Sequence, residues 1–500
     1  MSIITITFLI FLLISLVIYY IFPRKFRWIV LLLSSLVFFF LNCSWELFLI
    51  LLIEVIVTFI GTIIIEKYPK HSKKVLITTV LTIVGFLFIY KYYNIIPLSF
   101  NLISKLFNIN IELNKLNLLA PIGISYYSLS MIGYVIDVYW GKYKAQKNIF
   151  KHSLYCCFYP AMISGPILRY DHIEKELFKE NKLDWNNIYQ GFTRILYGLL
   201  KKIVIADNLS ILVSFIFDNY TTYSGFYIIF GVFCYALQIY CDFSGCMDIV
   251  IGTGKTYGIN MPENFNAPFF STTLSEFWRR WHISLGGWAK DYIMYPILKT
   301  NFFQKINTKS KKILGKKYGK KIPTILAIFI LWLLIGIWHG ASFKYIFASG
   351  ILPWIYLSMG ELLEPTIKKI MEKNLIKTDT FSYKLFQRIR TMGLMCVVWL
   401  FVCAPSLLGS QQLFKYLFVF ADIPLINKLP QLPYGLLSIL LLIVFCIDYL
   451  KYKEVNVSEK FQEQNLLFKL WVIYSIIIII FLYGCYGPAY NAVDFIYGGF

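Results

Sequence analysis

The sequence predicts an all-α, polytopic membrane protein: one integral membrane domain over residues 1–500, with about eleven transmembrane helices plus re-entrant or interfacial helices. Three observations predict it. Apolar runs of spanning length recur from one end of the chain to the other. Hydrophobic residues make up 58% of the chain and charged residues 15%, whereas a soluble domain carries roughly 45–50% and about 25%. The lysines and arginines behind the net charge of +21 sit in short segments between the apolar runs. That spacing follows the positive-inside rule and argues against a nucleic-acid surface. No linker, low-complexity segment or internal repeat divides the chain.

The elements follow in order from the charge bias. The first run, residues 2–22, lacks a basic n-region and a small-residue cleavage site, so it reads as a spanning helix and not a signal peptide. With the N-terminus outside, it ends at the basic turn 23–27 inside. A helix from Trp28 reaches the uncharged turn Asn42-Cys43-Ser44, and residues 47–65 return to Lys67, Lys70, Lys73 and Lys74. Residues 75–90 lead out to a loop at 94–117, and 118–139 lead back to Lys142, Lys144, Lys147 and Lys151. Residues 153–165 are too short to span and read as re-entrant. Runs at 189–217 and 226–251 cross next. Residues 265–298 are aromatic, amphipathic and interrupted, and read as interfacial or re-entrant. Residues 299–321 carry nine lysines and read as an inner loop. A tight hairpin, 322–338 and 341–359, precedes a basic stretch at 368–390. Runs at 391–408, 433–450 and 467–487 complete the bundle and put Phe500 outside.

Two of the five histidines stand in tryptophan-rich, apolar sequence: Trp281-His282 and Trp338-His339-Gly340. His71, His152 and His172 lie in polar stretches and read as solvated rings. A titratable ring in a membrane context is expensive and marks a functional site. The hairpin's first arm is barely long enough to cross, which sets His339 at or below the outer face. Gly340 supplies the tight turn. His282 enters from the inner side, so the rings can meet near mid-membrane. The plainer alternative for each is a structural histidine bonded to the backbone.

Other signals are weaker. The ten cysteines form no C-x-x-C and read as small buried hydrophobes. Gly252-Thr253-Gly254-Lys255-Thr256 lacks the first glycine of a phosphate loop, because position 249 is Ile249. There is no G-x-S-x-G elbow and no H-E-x-x-H zinc motif, and no metal site is read. Glu54, Asp137, Asp242 and Asp248 are the acidic residues within apolar sequence. Asp242 and Asp248 read either as helix-end polar pairs or as groups that shape the site. Arg169 could hold an anionic group or a phospholipid.

At this point the chain resembles the membrane-bound O-acyltransferase (MBOAT) family, in its bacterial branch of alginate O-acetylation proteins. The stretches that carry the resemblance are Ala120–Tyr127, Ser164–Tyr170, Ala206-Asp207-Asn208, Tyr235–Gly245, Pro262–Asn266, Phe277–Leu285 and Trp338-His339-Gly340. They lie in order within residues 118–350. The family's catalytic histidine falls on His339 and its second histidine on His282. Cys246-Met247 departs from the Tyr-Ser that relatives often carry.

The resemblance implies a membrane O-acyltransferase of the plasma membrane. His339 would be the general base, suited by the ordinary imidazole pKa of about 6.5. His282 would orient donor or acceptor. The indole N–H groups of Trp281 and Trp338 would stabilise the oxyanion. Arg279, Arg280, Asp242, Ser244 and Asn264 are candidate substrate contacts. The implied donor is acetyl-CoA from the cytosol, its phosphates drawn by residues 299–321, with no bound cofactor. The acceptor would be an extracytoplasmic polysaccharide or cell-wall glycan. No outer loop is long enough to fold a catalytic module, so an esterase-like extracytoplasmic acyltransferase is the expected partner. The alternatives are D-alanyl transfer to teichoic acid from a carrier-protein thioester, and a multispan transporter without chemistry. Against the transporter, no paired inverted halves with broken helices are visible.

Overall fold

Helices supply the regular structure of the computed structural model, which describes residues 2–109, 111–340, 342–419 and 432–487. Among these residues the strand-like pairing is a single isolated bridge, Phe265 to Trp281. Among the described residues, eight helices are long and apolar enough to cross a membrane: Trp45–Lys67, Ser72–Tyr92, Phe226–Thr256, Ile322–His339, Phe343–Lys373, Phe381–Cys403, Tyr434–Tyr452 and Leu466–Tyr483. Other apolar runs read as spans fold as shorter or broken helices. Ile6–Ile21 has 16 residues, Arg27–Phe40 has 14 and Ile124–Tyr139 has 16. The run read at 189–217 is interrupted by a π-helical stretch, Leu200–Ala206.

The lysine-rich segment expected as a loop is instead helical over Asn301–Gly319, capped by the Thr300 hydroxyl and broken at Gly315, where φ is +73°. The short elements fall where expected: Ile149–Cys157 and Tyr159–Met162, then Leu274–Arg280 and Ile283–Ala289. Residues 252–256, the phosphate-loop look-alike, continue helix Phe226–Thr256. All ten cysteines are free thiols, six of them buried. The outer placement of Phe500 and the hairpin residue Ala341 lie outside the described residues.

The chain forms two compact units. Of the described residues, one holds those up to Leu199 with Gly245–Glu263, and the other holds Leu200–Ser244 with those from Asn264 to 487. In the first unit, helices approach through glycine. A Cβ on Gly198 would stand 2.5 Å from the Gly245 carbonyl oxygen, and one on Gly191 would stand 2.7 Å from that of Gly252. Ser15 Oγ and Tyr159 Oη both reach the Tyr257 hydroxyl, at 2.7 and 2.9 Å. This unit also corrects the reading of His152. That ring is not solvated but fully buried between Phe59 and Tyr134, with Nε2 2.9 Å from Thr58 Oγ1. Glu54 is fully buried beside the Ser128 hydroxyl. Arg194 joins Asp248 at 2.9 Å and Glu263 at 2.6 Å.

In the second unit, the π-helical stretch diverts a carbonyl from the helical ladder, as such bulges do. The Ile203 oxygen accepts from Cys485 N at 2.8 Å, and Asn208 Nδ2 donates to the Tyr483 oxygen at 3.0 Å. Ile228, Val232, Leu400, Ala404 and Leu413 form a core cluster.

Candidate active site

Both tryptophan-flanked histidines lie in the second unit, and each is placed by a distinct local device. Helix Leu274–Arg280 starts at Thr273, whose hydroxyl accepts from Glu276 N, and stops at Trp281, which turns to extended backbone. His282 then adopts φ +48° and ψ +54°, the left-handed region that a non-glycine residue enters at a cost of about 1–2 kcal/mol. The surroundings hold it there. Residues 264–266 run beside 280–283: Asn266 N donates to the Arg280 oxygen and Ile283 N to the Asn264 oxygen, each at 3.0 Å. Trp281 is wedged among Phe265, Phe277, Trp399 and Tyr240, with ring centroids 5.0 to 6.0 Å away.

Asn264 fixes the His282 tautomer. Its Oδ1 accepts from Ser284 N at 2.9 Å and from Ser284 Oγ at 3.0 Å, so that atom is the amide oxygen. The same oxygen lies 3.3 Å from His282 Nδ1, which must therefore donate. A neutral ring protonated at Nδ1 carries its lone pair on Nε2. Burial pushes this imidazole well below its ordinary value, and the neighbouring His339 ring adds to the effect. The ring is therefore neutral at physiological pH.

His339 ends helix Ile322–His339. Trp332 of that helix packs edge-on against Trp278 at 4.6 Å, which ties it to helix Leu274–Arg280, just ahead of His282. Gly336 lets the return arm approach, because a Cβ there would stand 3.0 Å from Gly350 Cα. Gly340 is required for space, not for a turn. Its φ of 167° is extended backbone, but a Cβ would stand 2.7 Å from the Tyr345 ring. Trp338 lies between the two imidazoles, 6.0 Å from His282 and 5.1 Å from His339 by ring centroids. All three side chains are less than a tenth exposed.

Asn264, Trp281, His282, Trp338 and His339 are thus brought together. Arg279 is exposed, and Arg280 turns to Glu276 at 3.0 Å and to the Asn266 oxygen at 3.1 Å. Asp242 and Ser244 are held by lysines: Lys202 Nζ lies 2.6 Å from Asp242 Oδ1, and Lys201 Nζ lies 2.9 Å from Ser244 Oγ. Asp242 is therefore neither at a helix end nor paired with Asp248. Sequence reading passed over Lys201, Lys202 and Phe243. The lysine pair was visible as two charges inside an apolar run, whereas Phe243 carries no signal of its own.

Residues 146–308 match the model of the membrane-bound O-acyltransferase (MBOAT) family. This match contains Asn264, Trp281 and His282 and stops before Trp338 and His339. A probable alginate O-acetylase of Pseudomonas syringae is 31% identical over 308 residues, which are 61% of this chain and 53% of that protein. Over residues 146–308 the chain is similar to the MBOAT family. Two further relatives carry other names. A peptidoglycan O-acetyltransferase of Helicobacter pylori is 28% identical over 387 residues, 71% of this chain and 67% of the relative. A teichoic acid D-alanyltransferase of Bacillus subtilis is 29% identical over 238 residues, 46% of this chain and 56% of the relative. The chain spans about half the length of the alginate O-acetylases that it matches. With eight helices of spanning length among the described residues, and an MBOAT match over residues 146–308, it is a multi-pass membrane protein.

Proposed function

We propose that this chain is a membrane O-acyltransferase of the plasma membrane. It would carry an acetyl group from a cytosolic thioester, acetyl-CoA, toward hydroxyls of an extracytoplasmic polysaccharide or cell-wall glycan. The observation that supports this best is the pair of buried imidazoles held against one indole, Trp338, in one unit. A hydroxyl oxygen attacks the thioester carbonyl while His339 takes its proton. The carbon–sulfur bond then breaks, and the leaving thiolate takes up a proton. The His282 Nε2 lone pair orients the partner hydroxyl or thiol, and the Trp338 and Trp281 N–H groups face the developing oxyanion. An esterase-like extracytoplasmic transferase passes the group to polymer. The chain alone then hydrolyses acetyl-CoA slowly without acetylating glycan.

The similarity to the B. subtilis relative supports a second reading, D-alanyl transfer from a carrier-protein thioester. Mass spectrometry of surface polymers from cells with and without the gene decides between them. The expected result is acetyl esters that vanish with the gene and with His339→Ala. Loss of alanyl esters instead selects the second reading. Unchanged polymers in both strains exclude both, and a transporter would keep its function after His339→Ala.

A further inference from the structure

Two lysines stand side by side in the apolar stretch Leu199-Leu200-Lys201-Lys202-Ile203-Val204, and neither reaches water. Lys201 is 3% exposed and Lys202 fully buried. They lie near the start of the π-helical stretch Leu200–Ala206, every residue of which is buried. Lys202 Nζ lies 2.6 Å from Asp242 Oδ1 and 2.8 Å from Asp207 Oδ1. Lys201 Nζ donates to Ser244 Oγ at 2.9 Å and stands 5.9 Å from the centre of the Tyr240 ring, whose hydroxyl donates to Asp448. All of these residues belong to the second unit.

Stability alone does not explain such a cluster. The desolvation of buried ammonium and carboxylate groups offsets their attraction, and apolar side chains of the same volume often pack at least as well. A buried charge cluster does supply a defined register. Successive residues of helix Phe226–Thr256 turn by about 100°. The lysines engage Asp242 and Ser244, and Phe243 between them meets His282 edge to face at 4.8 Å. Tyr240, one turn before Ser244, reaches Phe265 at 5.8 Å and Trp281 at 6.0 Å. A one-residue slip would swing Phe243 off the imidazole and bring Asp242 or Ser244 to its place.

We propose that Lys201 and Lys202 are positioning residues of the acyl-transfer site. Through Asp242 and Ser244 they lock the setting of helix Phe226–Thr256, and through Phe243 that setting holds the His282 ring. The claim rests on the acyl-transfer reading for its consequence in catalysis, not for its geometry. The lysines act on the ring through Phe243.

A double-mutant cycle on the full chain in membranes tests it. Lys201→Met, and the charge-free set Lys202→Met/Asp207→Asn/Asp242→Asn, are each made with and without Phe243→Ala. The expected loss is about 10- to 100-fold in kcat per inserted molecule with KM little changed, because misplaced catalytic groups lose turnover before binding. Adding Phe243→Ala then costs little more, because both changes act on one ring. Losses that multiply in the combined variant, or a wild-type kcat in the charge-free set, overturn the proposal. Should those variants insert poorly, the second measurement decides. Phe243→Cys/His282→Cys is bridged with a short bifunctional thiol reagent and read by peptide mass spectrometry, with the lysine contacts intact and with Lys201→Met/Ser244→Ala. Bridging should drop when the contacts are removed, and unchanged bridging overturns the proposal. This second readout needs no transfer activity. An inactive wild-type protein would therefore sink the acyl-transfer reading without deciding the positioning claim.

Discussion

At His282 the backbone is strained and the side chain is over-determined, and both features serve one ring nitrogen. Asn264 holds Nδ1, Phe243 and Trp338 hold the faces, and the lone pair is left on Nε2. Asn264→Ala should therefore lower kcat about 10- to 100-fold with KM little changed, because the ring loses its tautomer and its angle. Equal losses in kcat and 1/KM would point to substrate binding instead. His339→Ala should remove at least the roughly 10²- to 10⁴-fold that a general base supplies. Insertion should stay normal, as read by membrane abundance. The His282 ring lies outside the eight spanning helices, and its depressed pKa has a measurable sign. Below about pH 6.5 the unfolded chain binds a proton that the folded chain refuses, so stability rises with pH. The contribution is complete above about pH 6.5 and is lost as pH falls toward the folded-state value. Thermal unfolding in detergent at about pH 5 and about pH 7.5 should show a smaller pH difference for His282→Gln than for wild type. Equal differences would assign the slope to other groups.

At the scale of elements, the packing of helices rests on absent side chains. Gly198 sits so close to helix Phe226–Thr256 that a Cβ would stand 2.5 Å from the Gly245 oxygen and 2.8 Å from Ile249 N. Both are backbone atoms that cannot yield. Gly198→Val should therefore destabilise by at least the roughly 1–3 kcal/mol of ordinary overpacking, and inserted protein should fall several-fold on immunoblots. Gly360 is the control. Nothing lies within 4 Å of a Cβ there, and Gly360→Ala should insert normally. This scale also explains what the sequence could and could not tell. His282 and His339 were legible because an imidazole between tryptophans in apolar sequence has few other uses. His152 was not, because its neighbour Lys151 lies over the Trp28 and Phe178 rings while the imidazole points into a core of Phe59 and Tyr134. Adjacent helical residues face different surroundings, and a local average of polarity hides that. The helical turns of Asn301–Gly319 were missed because the nine lysines of residues 299–321 signal a side of the membrane, not a secondary structure.

For the molecule as a whole, the charge bias and the helix order must agree on which side each basic segment lies. Composition made the class plain, but the count of spans depends on where runs break, and the π-helical stretch Leu200–Ala206 leaves only a lysine pair as its mark. The second half of the chain offers a clean test. Between Lys309 and Lys377 lie two helices of spanning length, Ile322–His339 and Phe343–Lys373. Between Lys377 and Gln464 lie two more, Phe381–Cys403 and Tyr434–Tyr452. An even number of crossings returns the chain to its starting side, so all three positions share one face. The exposed lysines 305, 309, 311, 312, 316 and 317 set that face as the cytoplasm. Lys309→Cys, Lys377→Cys and Gln464→Cys are each exposed sites, made with Cys446→Ser to remove the exposed native thiol. A membrane-impermeant maleimide should leave all three unlabelled in intact cells and label all three in inverted vesicles. If one of the three labels from outside, an odd number of crossings separates it from the others. The hairpin that carries His339 to the outer leaflet is then misplaced if the outlier is Lys309, and the bundle that follows it if the outlier is Gln464.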